Sequence, residues 1–244
     1  MSKVCIVTGG SRGIGAGCAI HAARAGYDVA FSYERSKDRA EQVAAEIRKL
    51  GRKAVAVQGD ISKEKDILRL FETSDKELGR LTAFVNNAGI ITSVDRLENL
   101  TADDIQRMFD VNSVGALIAA REAVRRMAKR FGGAGGAIVG IASAATTLGS
   151  PNEFIHYAAS KAAMDALTYG LAKEMALENV RVNAVAPGYI ETEIQYEGRS
   201  QKIVPNIPMQ RAGTVDEVAD AVMYLLSDKA SYITGQILRV SGGR

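Results

Sequence analysis

Apolar, β-branched runs alternate with longer helical patterns along the whole chain, and this alternation limits the fold more than any other feature. The runs "KVCIVTGG", "DVAFSY", "KAVAVQGD" and "LTAFVNNAG" are separated by helical patterns at residues 16–25, 37–50 and 67–78. Strands that read as near-continuous hydrophobic runs are buried on both faces, and strands joined through helices run parallel. The pattern therefore predicts repeated βαβ units in an α/β, doubly wound parallel sheet. The second half continues with a helix through 121–129, the turn "GGAGG", the strand "AIVGIAS", a helix over about 157–177, the strand "VRVNAVAPG", a helix around 215–226 and the strand "QILRV". No linker or shift in composition interrupts the series, and 244 residues suit one such core, so residues 1–244 are expected to form a single domain. Only 189–213 shows neither period, and it carries Gly198, Pro205 and Pro208. A lid or a pair of short helices over a site is expected there.

Composition narrows the function classes. With 47% hydrophobic and 24% charged residues and no apolar run near 18 residues, the chain reads as soluble and globular, with no membrane-spanning helix. The start, "MSKVCIVTGG", enters an apolar run that stops at glycines, unlike a secretory signal, so a cytoplasmic location is expected. A formal charge of +3, from 31 basic and 28 acidic residues that are dispersed, leaves no electrostatic footprint for nucleic acid. Cys5 and Cys18 have neither metal-ligand nor redox spacing and read as buried free thiols; no metal is expected.

Three short motifs carry chemistry. "TGGSRGIG" directly follows the first strand and precedes an alanine-rich helix. Backbone N–H groups at a helix N-terminus favour an anion, and Gly9, Gly13 and Gly15 let a pyrophosphate approach the main chain without meeting a Cβ. The spacing is GxxxGxG rather than GxGxxG, so the strand–turn–helix context carries the nucleotide-binding reading. "YAASK" places Tyr157 and Lys161 four residues apart, on one face of a helix. A phenol ordinarily titrates at about 10, and a cation ~4 Å away at an effective dielectric of about 20 favours phenolate by up to ~4 kcal/mol, toward the range where a general acid/base works. In isolation such a pair more often is a packed tyrosine with a solvated lysine. Ser143 ends "AIVGIAS", where an open α/β sheet places its ligands; its hydroxyl suits either a substrate oxygen or a turn.

In chain order, TGxxxGxG at Thr8 to Gly15, "NNAG" at 86–89, Ser143, YxxxK at Tyr157 to Lys161 and "NAVAPGYIET" with Pro187, Gly188 and Thr192 resemble the short-chain dehydrogenase/reductase family. The resemblance spans essentially the whole chain and is nearest to bacterial glucose-dehydrogenase-like and 3-oxoacyl-(acyl carrier protein)-reductase-like members. It implies a three-layer Rossmann-type fold and hydride transfer between a nicotinamide dinucleotide and a small carbonyl or alcohol substrate. It also implies Tyr157 as general acid/base, Ser143 fixing the substrate oxygen, and Lys161 holding the ribose while lowering the phenol's pKa. Asn112, in "DVNSVG", matches the family's asparagine at a helix kink, whose backbone carbonyl holds a water on the proton path. Ala144 stands where the family often has a second serine, and Ser150 is the weaker substitute for Ser143. His156 reads as structural, since about 100° per residue turns it off the Tyr157 face.

The same resemblance assigns cofactor contacts to Ser11, Arg12 and Ile14 beside the three glycines, and to Tyr33 and Arg35 after strand two. Asp60 and Ile61 in "GDIS" join them, with Asn87, Ala88 and Gly89, then Tyr157 and Lys161, then Pro187, Gly188, Ile190 and Thr192. Where NAD-dependent relatives carry an acid, this chain has uncharged Tyr33, and Arg12 and Arg35 suit a 2′-phosphate. NADP is therefore expected, with NAD as the alternative because Glu34 stands one residue on. A homotetramer is expected from the resemblance and from the small, apolar surface of 158–177. Two alternatives stay open. One is a reductase of carrier-bound 3-oxoacyl groups, docking its acidic carrier on Arg125, Arg126, Lys129 and Arg130 of "REAVRRMAKR", a charge cluster that also suits a helix C-terminus. The other is a nucleotide-binding regulator or scaffold without turnover.

Overall fold

The structure, a computed structural model, describes residues 3–193 and 198–244; Met1, Ser2 and positions 194–197 of the expected cover lie outside the described residues. Strands β1 (Lys3–Val7), β2 (Tyr27–Tyr33), β3 (Ala54–Gln58), β4 (Leu81–Asn86), β5 (Gly136–Ile141), β6 (Val180–Pro187) and β7 (Ile237–Val240) make one seven-stranded sheet. Its order is β3-β2-β1-β4-β5-β6-β7, and every neighbouring pair is parallel. The helices are α1 (Gly13–Arg24), α2 (Lys37–Lys49), α3 (Glu64–Glu77), α4 (Ala102–Phe109), α5 (Ala116–Met127), α6 (Ala145–Leu148), α7 (Ile155–Met175), α8 (Arg199–Ile203) and α9 (Val215–Leu226). No helix among the described residues is long and apolar enough to cross a membrane.

The central strands are largely apolar because both of their faces are covered. Cys5 and Val7 of β1, with Ala83 and Val85 of β4, pack toward α1, α2 and α9. Ile6 and Phe84, one residue out of phase, pack toward α3, α5 and α7. Phe84 is fully buried against Phe71 of α3, with ring centroids 5.5 Å apart; truncating such a ring costs about 3–5 kcal/mol. Cys5 and Cys18 are buried free thiols in the first of these layers.

Two departures from the expected pattern matter for the site. Helix α1 begins at Gly13, three residues before the alanine-rich stretch, so its first turn is built by the glycine motif itself. The helix expected at 121–129 is the end of a longer rod, in which α4 and α5 are joined by a π-helical segment at Asp110–Gly115. Thr101 and Asp104 start that rod with a reciprocal capping box: Asp104 N–H donates to Thr101 Oγ1 at 3.1 Å and Thr101 N–H to Asp104 Oδ2 at 3.4 Å. In the aperiodic 189–213 segment, α8 and a 3₁₀ turn at Val204–Asn206 bury Ile203 and Ile207 beside Tyr189.

Candidate active site

Chain order reverses at β1, whose neighbours are β2 and β4, so the loops leaving β1 and β4 diverge and open a crevice at the carboxyl ends of the strands. The crevice is a cleft of about 570 Å³. Its floor is held by one polar staple. Thr8 Oγ1 accepts the N–H groups of Asn87 at 2.9 Å and Ala88 at 3.0 Å, while Asn87 Nδ2 donates to Thr8 O at 2.8 Å and Gly9 O at 3.1 Å. The backbone of the first turn thus lies directly against that of "NNAG". A Cβ on Gly15 would come within 2.1 Å of Gly9 O, and Gly9 itself has φ +68, so a side chain is excluded at one position and strained at the other. The N-terminus of α1 has neither a side-chain cap nor an acidic residue in its first turn, which leaves its N–H groups to an anion from the cleft.

Each residue the sequence assigned to cofactor contact lines this cleft: Gly9, Ser11, Arg12, Gly13, Ile14 and Gly15 from the turn, Tyr33 and Arg35 after β2, Asp60 and Ile61 after β3. Asn87, Ala88 and Gly89 follow β4, Tyr157 and Lys161 project from α7, and Pro187, Gly188, Ile190 and Thr192 follow β6. Ser143, just past β5, completes the wall.

Tyr157 and Ser143 stand together on the wall of the cleft. Burial pushes the Tyr157 phenol above its ordinary value, and the Ser143 hydroxyl and the Arg199 guanidinium pull against that rise. Lys161 is almost wholly buried, and burial brings its ammonium down to about 8, with the Asp165 carboxylate opposing. Its Nζ donates to Ile141 O at 2.8 Å and passes close to Gly89, where a Cβ would stand 3.1 Å from it. The groups that pull the phenol down are Ser143 and Arg199, while the Lys161 ammonium is hydrogen-bonded to a backbone carbonyl. Ser143 also serves the turn: its Oγ accepts the N–H of Ala145 at 3.1 Å, at the start of α6.

Asn112 lies behind the cleft. Its Oδ1 accepts Ile90 N–H at 2.8 Å, and its Nδ2 donates to Ile90 O at 2.9 Å and Ser160 Oγ at 3.0 Å. Only an amide offers donor and acceptor together in this way, and the side chain is spent fastening the segment after β4 to α7. The main chain of Asn112 lies within a π turn whose backbone departs from the α-helical hydrogen-bond ladder.

Residues 9–244 match the family model described as enoyl-(acyl carrier protein) reductase. The chain is 46% identical over 245 residues to the uncharacterized oxidoreductase YgfF of Escherichia coli K12, covering 99% of each. It is 34% identical to 3-oxoacyl-[acyl-carrier-protein] reductase FabG of Staphylococcus epidermidis, covering 100% of this chain and 99% of that one. A short-chain dehydrogenase of Burkholderia cenocepacia, crystallised in complex with NADP, superposes with a TM-score of 0.93 at 34% identity, over 99% of this chain and 97% of that one. The chain belongs to the short-chain dehydrogenase/reductase family. As a family member it is an oxidoreductase built on one Rossmann-type sheet.

Within this short-chain dehydrogenase/reductase, the cleft and its surroundings hold side chains that the sequence did not single out. Arg107 of α4 reaches the end of the cleft beside β2 and β3, where it binds Asp60. Burial pushes the Asp60 carboxyl up, but the N–H and hydroxyl of Ser62 and the Arg107 guanidinium together hold it below the usual carboxylate range. Arg199 of α8 lies beyond the residues that line the cleft, near enough for its charge to act on Tyr157. Its Cζ lies 4.7 Å from the Phe154 ring centroid and 5.7 Å from that of Tyr189, and Nη2 is 3.3 Å from Glu153 Oε2. His156 is buried with Nε2 3.3 Å from Thr92 Oγ1, and so braces a residue of the cleft wall without entering the cleft.

Proposed function

We propose that this enzyme binds NADP(H) and interconverts a small carbonyl compound and its alcohol, with Tyr157 as general acid/base. The carrying observation is the meeting of Tyr157, Ser143 and Lys161 in one cleft with a glycine turn that excludes a Cβ and leaves a helix N-terminus open to an anion. These residues fit a dinucleotide, and the NADP-bound Burkholderia relative supports that fit. When bound, NADPH supplies the hydride. The Ser143 hydroxyl fixes the substrate oxygen, and Tyr157 gives that oxygen a proton in reduction or takes one in oxidation. Lys161, with its ammonium near 8, passes a proton on toward the main chain at Asn112. Consumption of NADPH across aldehydes, ketones, sugars and acyl thioesters, with the reverse run on alcohols, tests the assignment. Absence of turnover with every carbonyl would leave the nucleotide-binding regulator.

The position of Arg199 gives a pH test. Its charge lowers the phenol's pKa, so removing it raises that pKa, and alcohol oxidation, which needs phenolate, requires a higher pH. Arg199→Met is expected to move the rising limb of kcat/KM for oxidation to higher pH, while Arg199→Lys moves it less. An unshifted limb would remove Arg199 from the acid/base system.

The FabG relative favours a second reading, reduction of carrier-bound 3-oxoacyl groups. The basic cluster suited to an acidic carrier is largely compensated within the chain. Buried Glu122 takes Arg125 at 2.8 Å and Arg126 at 2.9 Å, Asp75 takes Arg126 at 2.7 Å, and Glu178 takes Arg130 at 3.3 Å. Carrier-bound and short thioesters are therefore expected to show similar catalytic efficiency, and Arg125→Glu with Lys129→Glu to leave small-ketone turnover intact. A strong advantage of the carrier-bound form that the double reversal abolishes would replace the first reading by the second. A homotetramer belongs to the proposal as well, supported by the exposed apolar side chains Val114, Leu117 and Tyr169 on the α4–α5 rod and α7.

A further inference from the structure

The adenosine end of the cleft places two carboxylates, Glu34 and Asp60, among arginines suited to a phosphate. Glu34 directly follows β2, where a carboxylate accepts from a ribose diol and repels a 2′-phosphate. Its charge is met from two sides: Oε1 lies 3.4 Å from Nη2 of Arg35 and 3.6 Å from Nη2 of Arg107. The two arginines differ in how they are held. The Arg35 side chain is 86% exposed, whereas the Arg107 side chain, at 36%, is forked onto its neighbours. Nη1 of Arg107 donates to Asp60 Oδ2 at 3.1 Å and Ser62 Oγ at 2.7 Å, and Nη2 donates to Asp60 Oδ1 at 3.3 Å. A guanidinium already fixed by one carboxylate loses little further freedom in neutralising a second.

We propose that Arg107 sets the dinucleotide preference of this enzyme by neutralising Glu34, which leaves Arg12 and Arg35 to a 2′-phosphate. The proposal rests on the NADP(H) reading above. Of the carboxylates lining the cleft, Glu193 is paired by Arg39, and Arg107 is the arginine that meets both Glu34 and Asp60. Arg107 is thus a positioning residue: it acts on the phosphate through Glu34, and its seat on Asp60 affects both dinucleotides alike.

Dissociation constants for NADPH and NADH, measured by nicotinamide fluorescence without substrate, test this in wild type, Arg107→Ala, Glu34→Gln and the double variant. The ratio of the two constants cancels any loss common to both dinucleotides, including disturbance of Asp60. Arg107→Ala is expected to lower the preference for NADPH about fivefold, about 1 kcal/mol for a partly exposed ion pair. Glu34→Gln is expected to maintain or raise it. Adding Arg107→Ala to Glu34→Gln is expected to change it by less than about twofold, because the residue through which Arg107 acts is already neutral. An equal loss in both backgrounds would mean that Arg107 touches the phosphate directly and would overturn the proposal; so would an unchanged ratio in the single variant. A wild type that binds NADH at least as tightly as NADPH would instead remove the NADP(H) reading, and the proposal with it. Should Arg107→Ala fail to fold, Arg107→Lys, which keeps the charge but loses the fork, completes the same cycle with a smaller expected loss.

Discussion

Tyr157→Phe is expected to lower kcat roughly 10²–10⁴-fold while leaving the affinity for NADPH nearly unchanged. Phenylalanine keeps the ring that meets Phe154 edge-on at a centroid distance of 5.5 Å, so the packing of the first turn of α7 survives. What disappears is the phenolic O–H that stands beside Ser143 in the cleft. The neighbouring cation does not replace it, since Lys161 Nζ is held by Ile141 O at 2.8 Å. Steady-state kinetics on the best carbonyl substrate, together with NADPH titration, separates the two effects. Turnover above about a tenth of wild type would take the acid/base role away from the phenol.

Lys161→Met is expected to separate activity from stability. Burial holds the Lys161 ammonium at about 8 against an ordinary 10.5, so between those values the unfolded chain binds more protons than the native one. Wild-type stability therefore climbs with pH across that window, and below it the full penalty of about 3 kcal/mol stands. Methionine has a similar length and no charge to desolvate, which removes the penalty. It also leaves Ile141 O without its donor, which takes back about 1–3 kcal/mol. The variant is expected to melt no lower than wild type at pH 7, to lose the climb between pH 8 and 10.5, and to lose roughly 100-fold or more in kcat/KM. Denaturant titrations at several pH values measure this. A variant that is less stable at pH 7 yet keeps the wild-type slope would show that the buried charge lies elsewhere.

The sheet is legible in the sequence because burial of both faces leaves no polar alternation in the strands, as in "KVCIV", where Cys5 and Ile6 enter opposite layers. The glycine turn is legible for a similar reason: a Cβ at Gly15 has nowhere to go, and the exclusion is written as a residue type. Helix α4 is harder to read. It has only eight residues, its capping box uses Asp104 rather than a longer acid, and the π turn at Asp110–Gly115 shifts the helical period just where the pattern would have been recognised. Arg107 rides on α4 and was missed with it. Arg199 comes from the segment with no period at all, where a sequence pattern says nothing about which side chain turns inward. The direction of Lys161 toward Ile141 O is likewise a matter of three-dimensional competition for one ammonium, and residue spacing is silent on it.

The central position of β1 has a consequence for how the chain is made. The strand is complete at Val7 and its partner β2 at Tyr33, but its other edge is paired only by β4, which ends at Asn86. On a ribosome adding about 5–20 residues per second, that apolar edge waits on the order of ten seconds for its partner. The staple between Thr8 and Asn87 then closes a loop of nearly eighty residues in one step. A nascent chain stalled within that interval would present an unpaired strand edge, apolar from Val4 to Val7, to whatever lies nearby. Chaperone contact during synthesis should therefore concentrate on the first third of the chain and fall away once β4 has emerged.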